Sequence, residues 1–138
     1  MCVFIDLVDG VKNAQQINVY TDGDMYVCNS GENAFKDIVA AWTEMTKGAH
    51  EMPAYGVSLD RETKKAKSCG VWVEFVFGKK LEYNGMPFEN LLINVQKSFH
   101  GFNIIRYTSK YGYDGRCFYL DILNKDMSNF YDILLNIK

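Results

Sequence analysis

Asp22 and Gly23 interrupt two alternating apolar runs in INVYTDGDMYVC, Ile17 to Cys28, and no other short stretch constrains the fold as tightly. A two-residue hairpin that matches the natural twist of its strands needs positive φ at both central positions, and Asp-Gly supplies this at low cost. With that dipeptide as the turn, Val19 faces Tyr26 and Ile17 faces Cys28 on one side of a sheet. Tyr20 and Met25 face the other.

The period then changes. In SGENAFKDIVAAWTEMTKG, Phe35, Ile38, Val39, Trp42 and Met45 recur at three and four, which predicts an amphipathic helix with Ser30 as cap and Gly48 as terminator. AYGVSL and SCGVWVEFVF read as two strands around the polar loop DRETKKAK. In the second, Val71, Val73, Phe75 and Phe77 take one face and Trp72, Glu74 and Val76 the other. Asn84-Gly85 reads as a turn before Pro87, which stands in the first-turn position of a helix over PFENLLINVQKSF with Phe88, Leu91, Leu92, Val95 and Phe99 in one stripe, ended by Gly101. A last hairpin joins FNIIRYTS to RCFYLDIL, and a helix follows from about Asp126 to Ile137.

Residues 2–8 add a first strand, so the expected fold is α+β. A mainly antiparallel sheet is built from three hairpin-then-helix (ββα) units plus that N-terminal strand, with helices packed mostly on one face. With 138 residues, two prolines and no low-complexity linker, the expectation is a single globular domain over 1–138.

Taking Asp114-Gly115 as the turn of the third hairpin pairs Tyr113 with Arg116, Tyr111 with Phe118, Ser109 with Leu120 and Tyr107 with Ile122 on the core side. Tyr113 and Arg116 then sit at the tip. Tyr119 and Trp72 lie on the second sheet face, which is either a free aromatic surface or covered by further elements.

The formal net charge of −2 gives no basic field of the kind that drives non-specific nucleic-acid affinity. Cys2, Cys28, Cys69 and Cys117 stand singly, with neither metal-ligand spacing nor clustering with His50 or His100, and read as free thiols in a reducing compartment. No stretch is long enough for a membrane span, and the N-terminal apolar run lacks a basic leader region, so the expected location is cytoplasmic. Phosphate-binding glycine loops, zinc signatures and a nucleophile elbow are absent from the sequence, and no metal or cofactor is implied. Turn aspartates such as those of TDGD are explained by the turn itself.

The expected function is a non-enzymatic protein-binding module that acts by surface occlusion, in the manner of toxin-neutralising immunity proteins or phage-encoded inhibitors of host defence nucleases. Its partner would be another protein, bound through Trp72, Tyr113, Arg116 and Tyr119. One alternative is a small enzyme or ligand-binding domain with a pocket near His100 and Cys69, with Asp121 as a further candidate. The other is nucleic-acid binding through the cationic loop residues Arg61, Lys64, Lys65 and Lys67.

Overall fold

The computed structural model describes residues 6–53 and 56–137. Of the strand expected over 2–8, residues 2–5 lie outside the described residues; Leu7 to Asp9 form a turn that leads into a 3-10 segment, Gly10–Asn13. Strands β1 (Gln16–Thr21) and β2 (Asp24–Asn29) form the expected hairpin in the expected register, with φ of 49° at Asp22 and 91° at Gly23. Helix α1 (Asn33–Thr46) follows, flanked by Glu32 rather than Ser30.

Next come β3 (His50–Met52), β4 (Val57–Ser58), α2 (Asp60–Ala66), β5 (Val71–Tyr83), β6 (Met86–Val95), β7 (Gly101–Tyr107), β8 (Gly115–Arg116), β9 (Phe118–Asp121) and α3 (Ser128–Leu135). Seven strands make one antiparallel sheet in the order β2-β1-β5-β6-β7-β9-β3, while β4 and β8 pair in a separate short ribbon. The mixed α+β class with an antiparallel sheet is as expected. Among the described residues no helix is long and apolar enough to cross a membrane.

The helix expected over 87–99 is instead strand β6, and Asn84-Gly85 is the hairpin turn that connects it to β5, with φ of 51° and 76°. Pro87 is compatible with this strand because the turn makes Tyr83 and Met86 the hydrogen-bonded pair. Pro87, opposite Glu82, therefore points its missing donor away from β5, on a side where β7 does not pair with it and where Arg106 Nη1 donates to its carbonyl at 2.7 Å. The helical spacing of Phe88 and Leu91 has a different source. A register shift between Val76 and Leu81 changes which side residues face, so Phe88, Leu91, Ile93 and Val95 all reach one core.

DRETKKAK is not a loop. It forms α2, with Asp60 and Glu62 in its first turn, Lys64 and Lys65 in its last, and a Lys64–Asp60 ion pair of 2.9 Å, a charge order that suits the helix dipole. Only Thr63 of this helix is buried, so apolar periodicity had nothing to register. Likewise β4 pairs with β8 and not with β5, so the second expected hairpin does not form.

The main core lies between one sheet face and helices α1 and α3. Trp42 is at its centre, in edge contact with Phe75, Phe102 and Phe130 at 5.3, 5.6 and 5.9 Å between ring centroids, and its indole N–H donates to the Leu7 carbonyl at 2.9 Å. Gly85→Ala tests the β5–β6 turn. No atom lies within 4 Å of the added methyl, so the cost is one of backbone conformation. A loss of about 1–2 kcal/mol in denaturant unfolding is expected.

Candidate interaction surface

The second face of the sheet carries one residue that water would normally claim. Glu74, on central strand β5, is 2% exposed. A buried carboxylate must find donors, and three side chains supply them: Tyr20 Oη to Oε1 at 2.9 Å, and Tyr113 Oη and Asn90 Nδ2 to Oε2 at 2.7 and 3.2 Å. Lys67 Nζ stands 3.9 Å from Oε1, donates to Tyr113 Oη at 2.9 Å, and lies over the Tyr20 and Tyr113 rings at 4.4 and 4.9 Å.

These partners come from four places: β1, β6, the end of α2, and the segment between β7 and β8. Around them Trp72, Leu92 and Tyr113 form a second small core, with Tyr20, Ile105 and Tyr107 packed against it. The centre of the second face is thus covered by a lobe made of β4, α2 and residues 108–116. Polar ties close the lobe, since Tyr113 N donates to Asp60 Oδ1 at 2.9 Å and Asp60 N to Asp114 Oδ1 at 2.7 Å. The Tyr113 N–H and Lys64 hold the Asp60 carboxyl below the usual carboxylate range.

This geometry redistributes the residues expected to bind a partner. Trp72 and Tyr113 are buried at 7% and 4% exposure, so they hold the lobe to the sheet and present no free aromatic surface. Tyr119 is half-buried on β9, between Asn103 and Met52, its ring over Gly101. Arg116 is exposed, opposite Val57 in the β4–β8 ribbon. The structure therefore joins Trp72 to Tyr113 but places Arg116 and Tyr119 apart from them.

The third hairpin also differs from its expected register. Reciprocal bonds between Thr108 and Gly112, at 2.9 and 2.7 Å, close a turn over Ser109 to Tyr111, and β7 pairs with β9 as Phe102 with Leu120 and Ile104 with Phe118. The pairing is offset by an odd number of residues from an Asp114-Gly115 turn, which reverses the faces of β7. Phe118, Leu120 and Ile122 keep their core places, Tyr107 joins the second core, and Tyr111 is 59% exposed.

The other candidates disperse. Lys64 is paired with Asp60 and Lys67 is turned toward Glu74, which leaves Arg61 and Lys65 as the exposed remainder of the cationic group. His100 lies directly before β7 and not at a helix end; its Nδ1 contacts the Lys125 carbonyl at 2.6 Å, while Cys69 Sγ neighbours Ser68 Oγ at 4.0 Å. Asp121 accepts from the Leu123 N–H at 2.8 Å, and Asp22 ties its turn to Gly70. Among the described residues no three His, Cys, Asp or Glu side chains gather in a way that could hold a metal ion.

What the sequence reading did not single out is the set of apolar residues the lobe and its surroundings expose. Val57, Leu59 and Tyr111 are 67%, 58% and 59% exposed on the lobe. Arg116 lines a groove together with Glu51, Met52, Pro53, Asn84, Met86 and Phe118. Glu51 is occupied by Tyr83 Oη at 2.6 Å and Asn84 Nδ2 at 2.7 Å. Arg116 has no ion pair among the described residues.

The chain matches no family model and no curated protein, and its fold matches no solved structure.

Two outcomes test the Glu74 cluster. Tyr113→Phe removes a donor from a buried carboxylate and should cost about 1–3 kcal/mol, whereas Tyr111→Phe should lie within about 0.5 kcal/mol of zero, by denaturant unfolding. Burial first, then the charge of Glu74 and the hydrogen bond to it, push the Tyr113 and Tyr20 hydroxyls well above the ordinary tyrosine range. The folded chain thus holds these protons more tightly than the unfolded one. Their contribution is complete below about pH 10 and declines as pH rises beyond it. Thermal midpoints should fall through this alkaline range, less steeply in Tyr113→Phe.

Proposed function

We propose that the chain is a non-enzymatic protein-binding module that occludes a partner's surface, in the manner of toxin-neutralising immunity proteins or phage-encoded nuclease inhibitors. The observation that carries this reading is the arrangement around Arg116: a guanidinium without an ion pair among the described residues, opposite exposed Val57 with exposed Leu59 two residues on, and lining a groove that also presents Met52, Pro53 and Met86. Arginine among apolar side chains on a fixed support is the composition of protein-interface centres. An extended partner segment with an acidic residue beside an apolar one fits both features.

Hydrogen bonds tie the support together. Val57 and Leu59 flank Ser58, whose hydroxyl bonds the Tyr113 and Gly115 carbonyls, and Arg106 Nε donates to the Arg116 carbonyl at 2.7 Å. Binding would therefore order few groups, which lowers its entropic cost. Trp72 and Tyr113 contribute by holding this support, and Arg116 and Tyr119 remain candidates for direct contact.

Affinity capture from the native host, repeated with Arg116→Glu, Leu59→Asp and Lys65→Glu, tests this function. A stoichiometric protein should be retained by the wild type and weakened about tenfold or more by the first two changes. Lys65→Glu should retain it. A partner that survives both Arg116→Glu and Leu59→Asp, or a small molecule in place of a protein, would overturn the proposal.

A further inference from the structure

Charge is shared unevenly along this acidic chain. Residues 57–67 and 108–116, which make up the lobe over the second sheet face, hold six lysines and arginines against three carboxylates, while the rest of the sequence holds nine against fourteen. Pairing leaves the excess outside. Lys64 is tied to Asp60 and Lys67 turns inward to Glu74, whereas Arg61, Lys65, Lys110 and Arg116 are exposed and have no ion pair among the described residues.

Apolar exposure peaks on the same lobe. Val57, Tyr111 and Leu59, at 67%, 59% and 58%, are the most exposed large apolar residues of the described chain. The Ser58 hydroxyl turns inward to the Tyr113 and Gly115 carbonyls, so its neighbours Val57 and Leu59 take the outer side of this extended stretch, and Val57 stands across from Arg116 in the β4–β8 ribbon. Lys110 Nζ lies 5.2 Å from the centre of the Tyr111 ring, in the turn that Thr108 and Gly112 close. On α2, Thr63 is buried and Lys67 beyond it faces the sheet, and the helical period puts Arg61 and Lys65 on the side away from it.

We infer that the partner required by the protein-binding function proposed above, on which this reading rests, presents an acidic face with apolar side chains set among its carboxylates. It docks on the lobe with Val57, Leu59 and Tyr111 at the centre of contact and with Arg116 and Lys110 paired to its carboxylates. The sign of its charge follows from the unpaired cations, and its apolar content from the side chains that water now covers. Each supports the other, because an ion pair formed beside apolar surface is screened less than one in open water.

Nucleic acid fits this surface less well. Its backbone carries a charge at every step and Val57 and Leu59 offer a phosphate nothing, whereas a protein face can set an apolar or neutral residue opposite them and opposite exposed Asp114. Arg61 and Lys65 lie away from the centre and speed encounter with an acidic face more than they hold the complex. The remainder of the chain repels such a face, so the lobe is the part that meets it.

Titration of the isotope-labelled full chain with a random copolymer of glutamate and tyrosine, followed by NMR, tests this, with polyglutamate, a lysine-tyrosine copolymer and oligothymidylate alongside. The glutamate-tyrosine copolymer should bind with the amide signals of Val57, Leu59, Tyr111 and Arg116 moving most, and should weaken about tenfold or more as salt rises from about 50 to about 500 mM. Polyglutamate should bind more weakly, and the lysine-tyrosine copolymer should leave these signals in place. Leu59→Ser should weaken the glutamate-tyrosine copolymer but not polyglutamate, and Lys110→Glu should weaken both; both side chains are exposed, so the fold is retained. Oligothymidylate bound as tightly as the copolymer, or copolymer binding that moves other signals or ignores salt, would overturn the inference. If the copolymer fails to bind while a host protein is captured and lost on Arg116→Glu, the inference falls and the proposed function stands. If the copolymer binds the lobe and no host protein is captured, the proposed function falls and the acidic preference of the surface stands.

Discussion

A carboxylate in the middle of a sheet sets terms for the rest of the chain, because burying it without donors costs several kcal/mol. Glu74 at 2% exposure meets those terms with two phenols, an amide and an ammonium group. Tyr113 must come from 39 positions along the chain to reach it. The segment between β7 and β9 therefore folds back over the sheet, and α2 ends where Lys67, the residue after it, can lie over both tyrosine rings. The lobe that carries Val57, Leu59 and Arg116 is the outer surface of this arrangement. Its exposed residues are where they are because its buried ones satisfy Glu74.

The sheet is consequently covered twice, by different chemistry. One face is closed by aromatic packing around Trp42, where hydrocarbon burial suffices and many sequences of similar volume would serve. The centre of the other face is closed by directional bonds that tolerate less change. The lobe leaves Met25 and Val27 of β2 exposed, and at its other end Arg116 lines the groove shared with Met52 of β3. Exposed apolar residues such as Met25 and Val27 therefore lie at the margins of a face whose centre is occupied.

Where local chemistry was sufficient, the sequence could be read directly. Asp22-Gly23 gave its hairpin and register, and the alternation of Val71 to Phe77 placed every side chain of that stretch on the correct face. Asn84-Gly85 carried the same turn chemistry, but Pro87 suggested a helix start, and Phe88 with Leu91 and Leu92 mimicked a helical stripe. The mimicry came from a bulge on β5 and from burial on both faces, and neither is visible in β6 itself. Of the candidate surface, Arg116 could be found as a cation beside a turn. Val57 and Leu59 could not, because an apolar residue on a short strand ordinarily reads as core.

Tyr111 and Tyr113 mark the boundary between the two kinds of information. The sequence by itself determined that two tyrosines would stand two residues apart beside a glycine-rich turn, and that the strands around them would pair antiparallel. Only the tertiary structure decided that Tyr113 is the buried one and Tyr111 the exposed one. The choice depended on a hydrogen bond to a carboxylate on a distant strand and on a lysine that caps a helix that apolar periodicity does not reveal. Backbone turn preferences act over a few residues and can be read in order along the chain. The demand of a buried charge for donors acts through space and is met by whichever side chains the fold brings within reach.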